Sequence, residues 1–174
     1  MPRNTDAIRC QFSACRQYRY TWELVWEPAD APCAFIGLNP STADEQGPDP
    51  TVRRCIGYAR EWGYGRLIML NAFSYRETDR LAMKRVENPV APWHDPRAND
   101  RAIRRTVARV VAAGGVVVAA WGADGAHVGR SAALRAMLGA YPLHILTLTA
   151  GGEPGHPLYL RKTLQPRPWQ QAII

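Results

Sequence analysis

Several features are missing from this 174-residue chain, and each absence narrows the possibilities. No apolar run approaches the roughly 20 residues a helix needs to span a bilayer, so no membrane role is expected. The opening Met1-Pro2-Arg3-Asn4 lacks the apolar segment of a secretory signal, which leads us to expect a cytoplasmic location and reduced cysteines. Among the four cysteines no pair is spaced C-x-x-C, so a zinc or iron–sulfur site has little to build on. Cys33 and Cys55 sit in apolar patterns and read as small core residues. Neither the Walker A pattern nor the Rossmann glycine pattern occurs, which argues against a nucleotide kinase or a dehydrogenase. Ser41 has no G-x-S-x-G elbow around it, so serine-hydrolase chemistry is not expected. Internal repeats are absent, and we expect no cofactor and no metal.

What is present reads as one domain over residues 1–174, large enough to bury a core without staples. Residues 1–15 show no clear period and are expected to be a loosely ordered lead-in; 165–174 is a proline-broken tail. The net charge is +7, almost all of the positive charge being Arg. Such a charge suits a polyanionic partner, and the planar guanidinium suits phosphate. The codon usage of a GC-rich genome would produce the same bias. A monomer is expected.

Tyr18, Tyr20, Trp22, Leu24 and Trp26 alternate with Arg19, Thr21, Glu23, Val25 and Glu27, the period of a half-buried strand. We place it at an edge of the sheet, antiparallel to its neighbour, with the aromatics in the core rather than forming a stacking platform. Four apolar runs follow. Ala34 to Leu38 stops at Asn39-Pro40, where proline disfavours further helix or strand; Leu67 to Leu70 stops at Asn71. Val116 to Ala120 ends in Trp121-Gly122, and Leu143 to Thr149 leads to Gly155-His156-Pro157. Asp49-Pro50 is a helix start, with Val52, Cys55, Ile56 and Ala59 at core spacing and Gly63 and Gly65 at its end. A short helix is expected around Leu81 to Val86, inside an excursion from Tyr75 to Asp100 that covers the strand ends. Further helices are expected from an Asn99 or Asp100 cap, through Leu134 to Leu138, and over Leu158 to Leu164. Strand and helix alternate four times, which predicts an α/β fold: a mainly parallel four-stranded central sheet, helices on both faces in three α/β/α layers, plus the N-terminal edge strand.

In such a sheet, ligands bind beyond the carboxyl ends of the strands. Two asparagines, a tryptophan and a histidine are delivered there. Phe35-Ile36-Gly37-Leu38-Asn39-Pro40, Leu70-Asn71-Ala72, Trp121-Gly122 and Gly155-His156-Pro157-Leu158 resemble, in order, the motifs of the uracil-DNA glycosylase superfamily. More closely, Leu38-Asn39-Pro40-Ser41-Thr42-Ala43-Asp44, Asp49-Pro50-Thr51-Val52-Arg53-Arg54-Cys55, Trp62-Gly63-Tyr64-Gly65 and His156-Pro157-Leu158-Tyr159-Leu160 resemble a bacterial and phage family, domain of unknown function 1643.

The superfamily resemblance implies a uracil-DNA-glycosylase-like fold and an enzyme that hydrolyses the N-glycosidic bond of a modified base flipped out of DNA. Asn71 would read the base, with Phe35, Phe73 or Tyr75 stacking on it. His156 would stabilise charge on the departing base. Ser41, Arg53 and Arg54 would contact the nucleic acid, and Leu158 and Tyr159 would fill the gap left by the base. The usual water-activating Asp is replaced by Asn39, which is no base. Mismatch-directed relatives also use Asn there, and Asp44 or Asp49 could supply the carboxylate. Against these roles stand plainer ones: Asn39 and Asn71 bonding local backbone, Arg53 and Arg54 on a solvated helix face, His156 as a buried structural histidine, Trp121 lining the core. The alternatives for the whole chain are a non-catalytic module binding nucleic acid or a nucleotide, and a small-molecule enzyme processing nucleosides or nucleotides. His94, His127 and His144 are assigned no role.

Overall fold

The computed structural model describes residues 7–170; residues 1–6 and 171–174, with part of the expected lead-in and tail, lie outside the described residues. Four strands run parallel: β3 (Pro32–Gly37), β4 (Arg66–Asn71), β5 (Val116–Ala119) and β6 (Leu143–Ile145). Together with β1 (Ile8–Phe12), β2 (Arg19–Val25) and β7 (Arg167–Pro168) they form a seven-stranded sheet in the order β1-β2-β4-β3-β5-β6-β7.

β3 is buried along its whole length because it is covered on both faces. Cys33 and Phe35 point to one side and meet Val52, Cys55, Tyr58 and Ala59 of α1 (Pro50–Glu61). Ala34 and Ile36 point to the other and meet Ile103, Val107 and Val110 of α3 (Ala98–Ala112) and Leu134 and Leu138 of α4 (Arg130–Leu138). Fully burying one such side chain stabilises by about 1.5–3 kcal/mol. α1 starts as its sequence dictates: the Asp49 carboxylate accepts from the Val52 N–H at 2.9 Å, Pro50 follows, and Gly63 at φ +83° lies just past the end. α2 (Arg80–Arg85) is capped by Asp79.

The chain steps from β3 to β4 over one face through α1. It then crosses back over β3 to β5, and on to β6, over the other face through α3 and α4. Right-handed crossovers require this change of face when the direction reverses. The reversal falls between β3 and β5, and in sheets of this kind ligands bind beyond the carboxyl ends of the strands at such a reversal.

Five expectations need correction. The aromatic strand β2 pairs antiparallel with β4 as expected but is not an edge, because β1 pairs outside it; residues 8–12 of the lead-in are therefore a strand. Its alternation of Ile8, Cys10 and Phe12 is only five residues long and partly exposed, too weak to stand out alone. The tail adds β7 on the far edge, where a proline that cannot donate to a ladder is tolerated, and Trp169 N–H donates to Leu143 O at 2.9 Å. The expected closing helix over 158–164 is a series of turns: Tyr159 takes φ 69°, which no right-handed helix continues through. Finally, α3 starts at Ala98 without a side-chain cap, and Asn99 is turned inward instead.

Candidate functional site

The strand ends are joined by the backbone first. Ala72 N–H donates to Gly37 O at 2.8 Å, Phe73 N–H to Leu38 O at 2.9 Å and Ala120 N–H to Ile36 O at 2.9 Å, so three strand ends stay side by side as their loops begin. Gly122 N–H donates to Pro154 O at 2.7 Å, which brings the His156 loop against the end of β5. Gly122 has φ +70°, and a Cβ there would lie 3.4 Å from His156 Cβ.

Asn71 closes β4 and is 3 % exposed. Its Oδ1 accepts from Arg19 Nη2 at 3.1 Å, and Arg19 Nη1 donates to Ala43 O at 2.9 Å. Arg19 is 1 % exposed, its Nε has no partner, and no carboxylate forms an ion pair with it among the described residues. Burial pushes its pKa down to about 10, against the charge of Asp49, which favours the cation. Since Arg19 takes Oδ1, the amide nitrogen of Asn71 is turned toward Gly37, where even a Cβ would come within 3.0 Å of it. Asn71 is thereby set as a hydrogen-bond donor. Its backbone carbonyl accepts from Asn99 Nδ2 at 3.0 Å, which explains why Asn99 faces inward.

His156 accepts at Nδ1 from the Leu158 N–H at 3.2 Å, so a neutral ring carries its proton on Nε2. Burial holds its pKa below the usual histidine value, against the charge of Asp49, which favours protonation. Asp49 thus acts electrostatically on both Arg19 and His156. It is buried, and its two oxygens accept from the Val52 and Ala43 N–H groups. The inner carboxylate is therefore Asp49; that of Asp44 accepts from Gln46 N–H at 2.8 Å within its own turn.

A pH dependence follows from the lowered His156 pKa. Above the ordinary histidine value of about 6.5 both folded and unfolded chains are neutral there, and the stability is fully present. As pH falls through the depressed folded value, the unfolded chain binds the proton more readily and stability is lost. Urea titrations across this window should show a decline in midpoint that His156→Gln reduces; equal declines in both proteins would contradict the assignment.

The remaining expected site residues are less well placed for chemistry. Asn39 Nδ2 donates to the carbonyls of Pro40 at 3.2 Å, Tyr75 at 3.4 Å and Glu77 at 2.7 Å, so this amide clamps two loops together. The Ser41 and Thr78 hydroxyls bond one another at 3.2 Å on the surface. Phe35 cannot stack on a base: it is fully buried in the α1-side core, with Trp62 stacked at 5.9 Å. Phe73 is fully buried in the opposite core, and half-buried Tyr75 packs edge-on against Tyr18. Trp121 lines the core and donates to Glu153 Oε2 at 2.8 Å. Arg53, Arg54, Leu158 and Tyr159 do come together, in a groove beside α1. Arg19 and Asn99 went unread as site residues, although Arg19 stands in the alternating strand where an outward charge is the ordinary expectation.

Among the described residues, no three of His, Cys, Asp and Glu gather as a metal-binding group, and no helix is long and apolar enough to cross a membrane. Cys15 is exposed and its pKa is lowered, chiefly by the Ser13 hydroxyl 3.3 Å away, whereas burial pushes the Cys10 thiol up to about 11 and holds Cys33 and Cys55 high. A thiol reagent at neutral pH should therefore label the folded protein first at Cys15, and Cys15→Ser should abolish the fast phase; fast labelling of Cys55 would contradict this packing.

No match is found among curated proteins or among solved structures. A family model described as "Protein of unknown function (DUF1643)" matches residues 19–158. That span opens on Arg19, closes just past His156 and takes in Asn39, Asp49, Asn71 and Asn99: the chain belongs to the DUF1643 family.

Proposed function

We propose that the chain is a base-directed enzyme of glycosylase type, with a uracil-DNA-glycosylase-like fold, that releases a modified or damaged base from nucleic acid. The observation that carries this reading lies at the strand ends, where a buried arginine fixes the amide of Asn71 as a donor, and His156, subject to the charge of the same Asp49 as that arginine, keeps an N–H free of protein partners among the described residues. A parallel core with helices on both faces, bearing Asn39, Asn71, Gly122 and His156 at successive strand ends, supports the fold.

The Asn71 N–H groups meet a carbonyl oxygen of the base. As the bond from sugar carbon to base nitrogen breaks, negative charge spreads to the base oxygens. His156 Nε2–H donates to one of them, and the nearby Arg19 cation favours that charge in a poorly hydrated setting. Water adds to the sugar carbon and its proton ends on the departing base anion, without a free carboxylate to carry it, because Asp49 is engaged by two amides and Asn39 is no base. The reaction is accordingly slow. Pure protein incubated with oligonucleotides carrying uracil, hypoxanthine, xanthine or 5-hydroxymethyluracil should yield abasic product from at least one. Failure with all four would overturn the enzymatic reading.

One observation favours a second reading. The Asn39 amide is committed to three loop carbonyls, which suits a module that holds a base or nucleotide without cleaving it. Its signature is retained binding in a gel shift with no product.

A further inference from the structure

Between α1 and the turns over residues 158–163 lies a groove of about 730 Å³, well within the size of ligand clefts. Its walls are tied together before any ligand arrives. Arg54 donates to Leu160 O, Tyr58 Oη to Arg161 O at 2.6 Å and Trp62 Nε1 to Leu164 O at 2.9 Å. Arg53, Arg54 and Lys162 outnumber the single acid Glu61 on its lining. Two further observations ask for an occupant. Tyr159 is 92 % exposed and held at φ 69°, a conformation that bulky residues rarely adopt, so an aromatic ring is kept in water at the rim. Gly57 sits in the middle of α1, where glycine is the poorest residue after proline. Packing does not require it, because nothing lies within 4 Å of where its Cβ would be. A side chain there would project into the groove.

We propose that this groove takes a single-stranded nucleic acid, with phosphates against Arg53 and Lys162, a base stacked on Tyr159 and the strand passing over the bare backbone at Gly57. A basic rim around an apolar, aromatic floor matches a strand whose base faces are free; a duplex hides those faces by pairing and stacking. The proposal rests on the base-directed reading of the strand ends, whose Asp49 immediately precedes the groove residue Pro50 and whose His156 lies two positions before the groove residue Leu158.

The test is fluorescence anisotropy with a labelled single strand of about 12 nucleotides, the corresponding duplex and a polyglutamate peptide, over a range of salt concentrations. The single strand binds most tightly, and its affinity falls with salt. Arg53→Glu and Lys162→Glu each weaken binding and each lower the salt slope by about one, as loss of a phosphate contact does. Tyr159→Asn, which accepts the left-handed backbone, weakens binding about tenfold at every salt concentration. Gly57→Leu raises or keeps the thermal midpoint, since leucine is the better helix former, yet weakens binding about tenfold or more by filling the groove. Unchanged strand affinity in Gly57→Leu and Lys162→Glu overturns the proposal, and so does tighter binding of polyglutamate or of the duplex. The base-release assay separates the two readings. If these variants bind as wild type while the wild type still releases base, the groove assignment alone fails. If they lose binding and no protein releases base, the groove stands and the glycosylase reading falls.

Discussion

Arg19→Met should destabilise the protein by about 3 kcal/mol, read as a fall of about 1–2 M in the urea midpoint. Methionine fills much of the arginine's volume, so the loss is not one of packing. It comes from three groups left behind in a buried place. The Ala43 carbonyl and the Asn71 Oδ1 lose their donors, and Asp49 loses the cation whose field it shares. Arg19→Lys should recover only part of the loss, because one ammonium cannot serve both acceptors in the geometry of a guanidinium fork. A double variant that also replaces Asn71 by Leu should lose less than the sum of the two single variants, since the unpaired Oδ1 disappears with its residue. A change below about 0.5 kcal/mol for Arg19→Met, the range of ordinary surface substitutions, would mean that the buried cation does not organise the strand ends.

Asn71→Asp should separate function from stability. The two side chains have the same shape, and a carboxylate oxygen 3.1 Å from Arg19 Nη2 would turn the present hydrogen bond into an ion pair. The urea midpoint is expected to hold or rise. Base release is expected to fall about 10²–10³-fold, the loss seen when one preorganised donor is removed from a site where charge develops. The donor amide beside Gly37 becomes an acceptor that repels a base carbonyl. Such opposite movements are the mark of a residue that touches the substrate. Parallel losses of stability and base release would instead assign Asn71 to the scaffold alone.

Local chemistry explains what was readable in advance. Asp49-Pro50 and Gly63 set the ends of α1 through caps and backbone geometry that span a few residues. The uninterrupted apolar run of β5 announces burial on both faces, and Asn71 and His156 stand out because each follows the last apolar residue of a run or precedes a proline. β1 was hidden because its alternation is short and partly exposed, and β7 because its order comes from His144 and Ile145, more than twenty residues earlier in the chain. Phe35 and Phe73 read equally well as core or as stacking rings, and only the helices packed on each face decide for the core.

By itself, then, the sequence determined the alternation of the four parallel strands with their helices, the ends of β3, β4 and α1 and the residue types delivered there, because caps, prolines and apolar periods act over a turn or two. Only the tertiary structure decided which of those residues work together. An arginine in an alternating strand is buried because the loop after β3 folds back and offers it the Ala43 carbonyl. The groove beside α1 exists because bonds between residues more than a hundred positions apart lay the final turns along that helix. Hydrogen-bond partners brought together by chain reversal leave no periodic trace in the residues that make them.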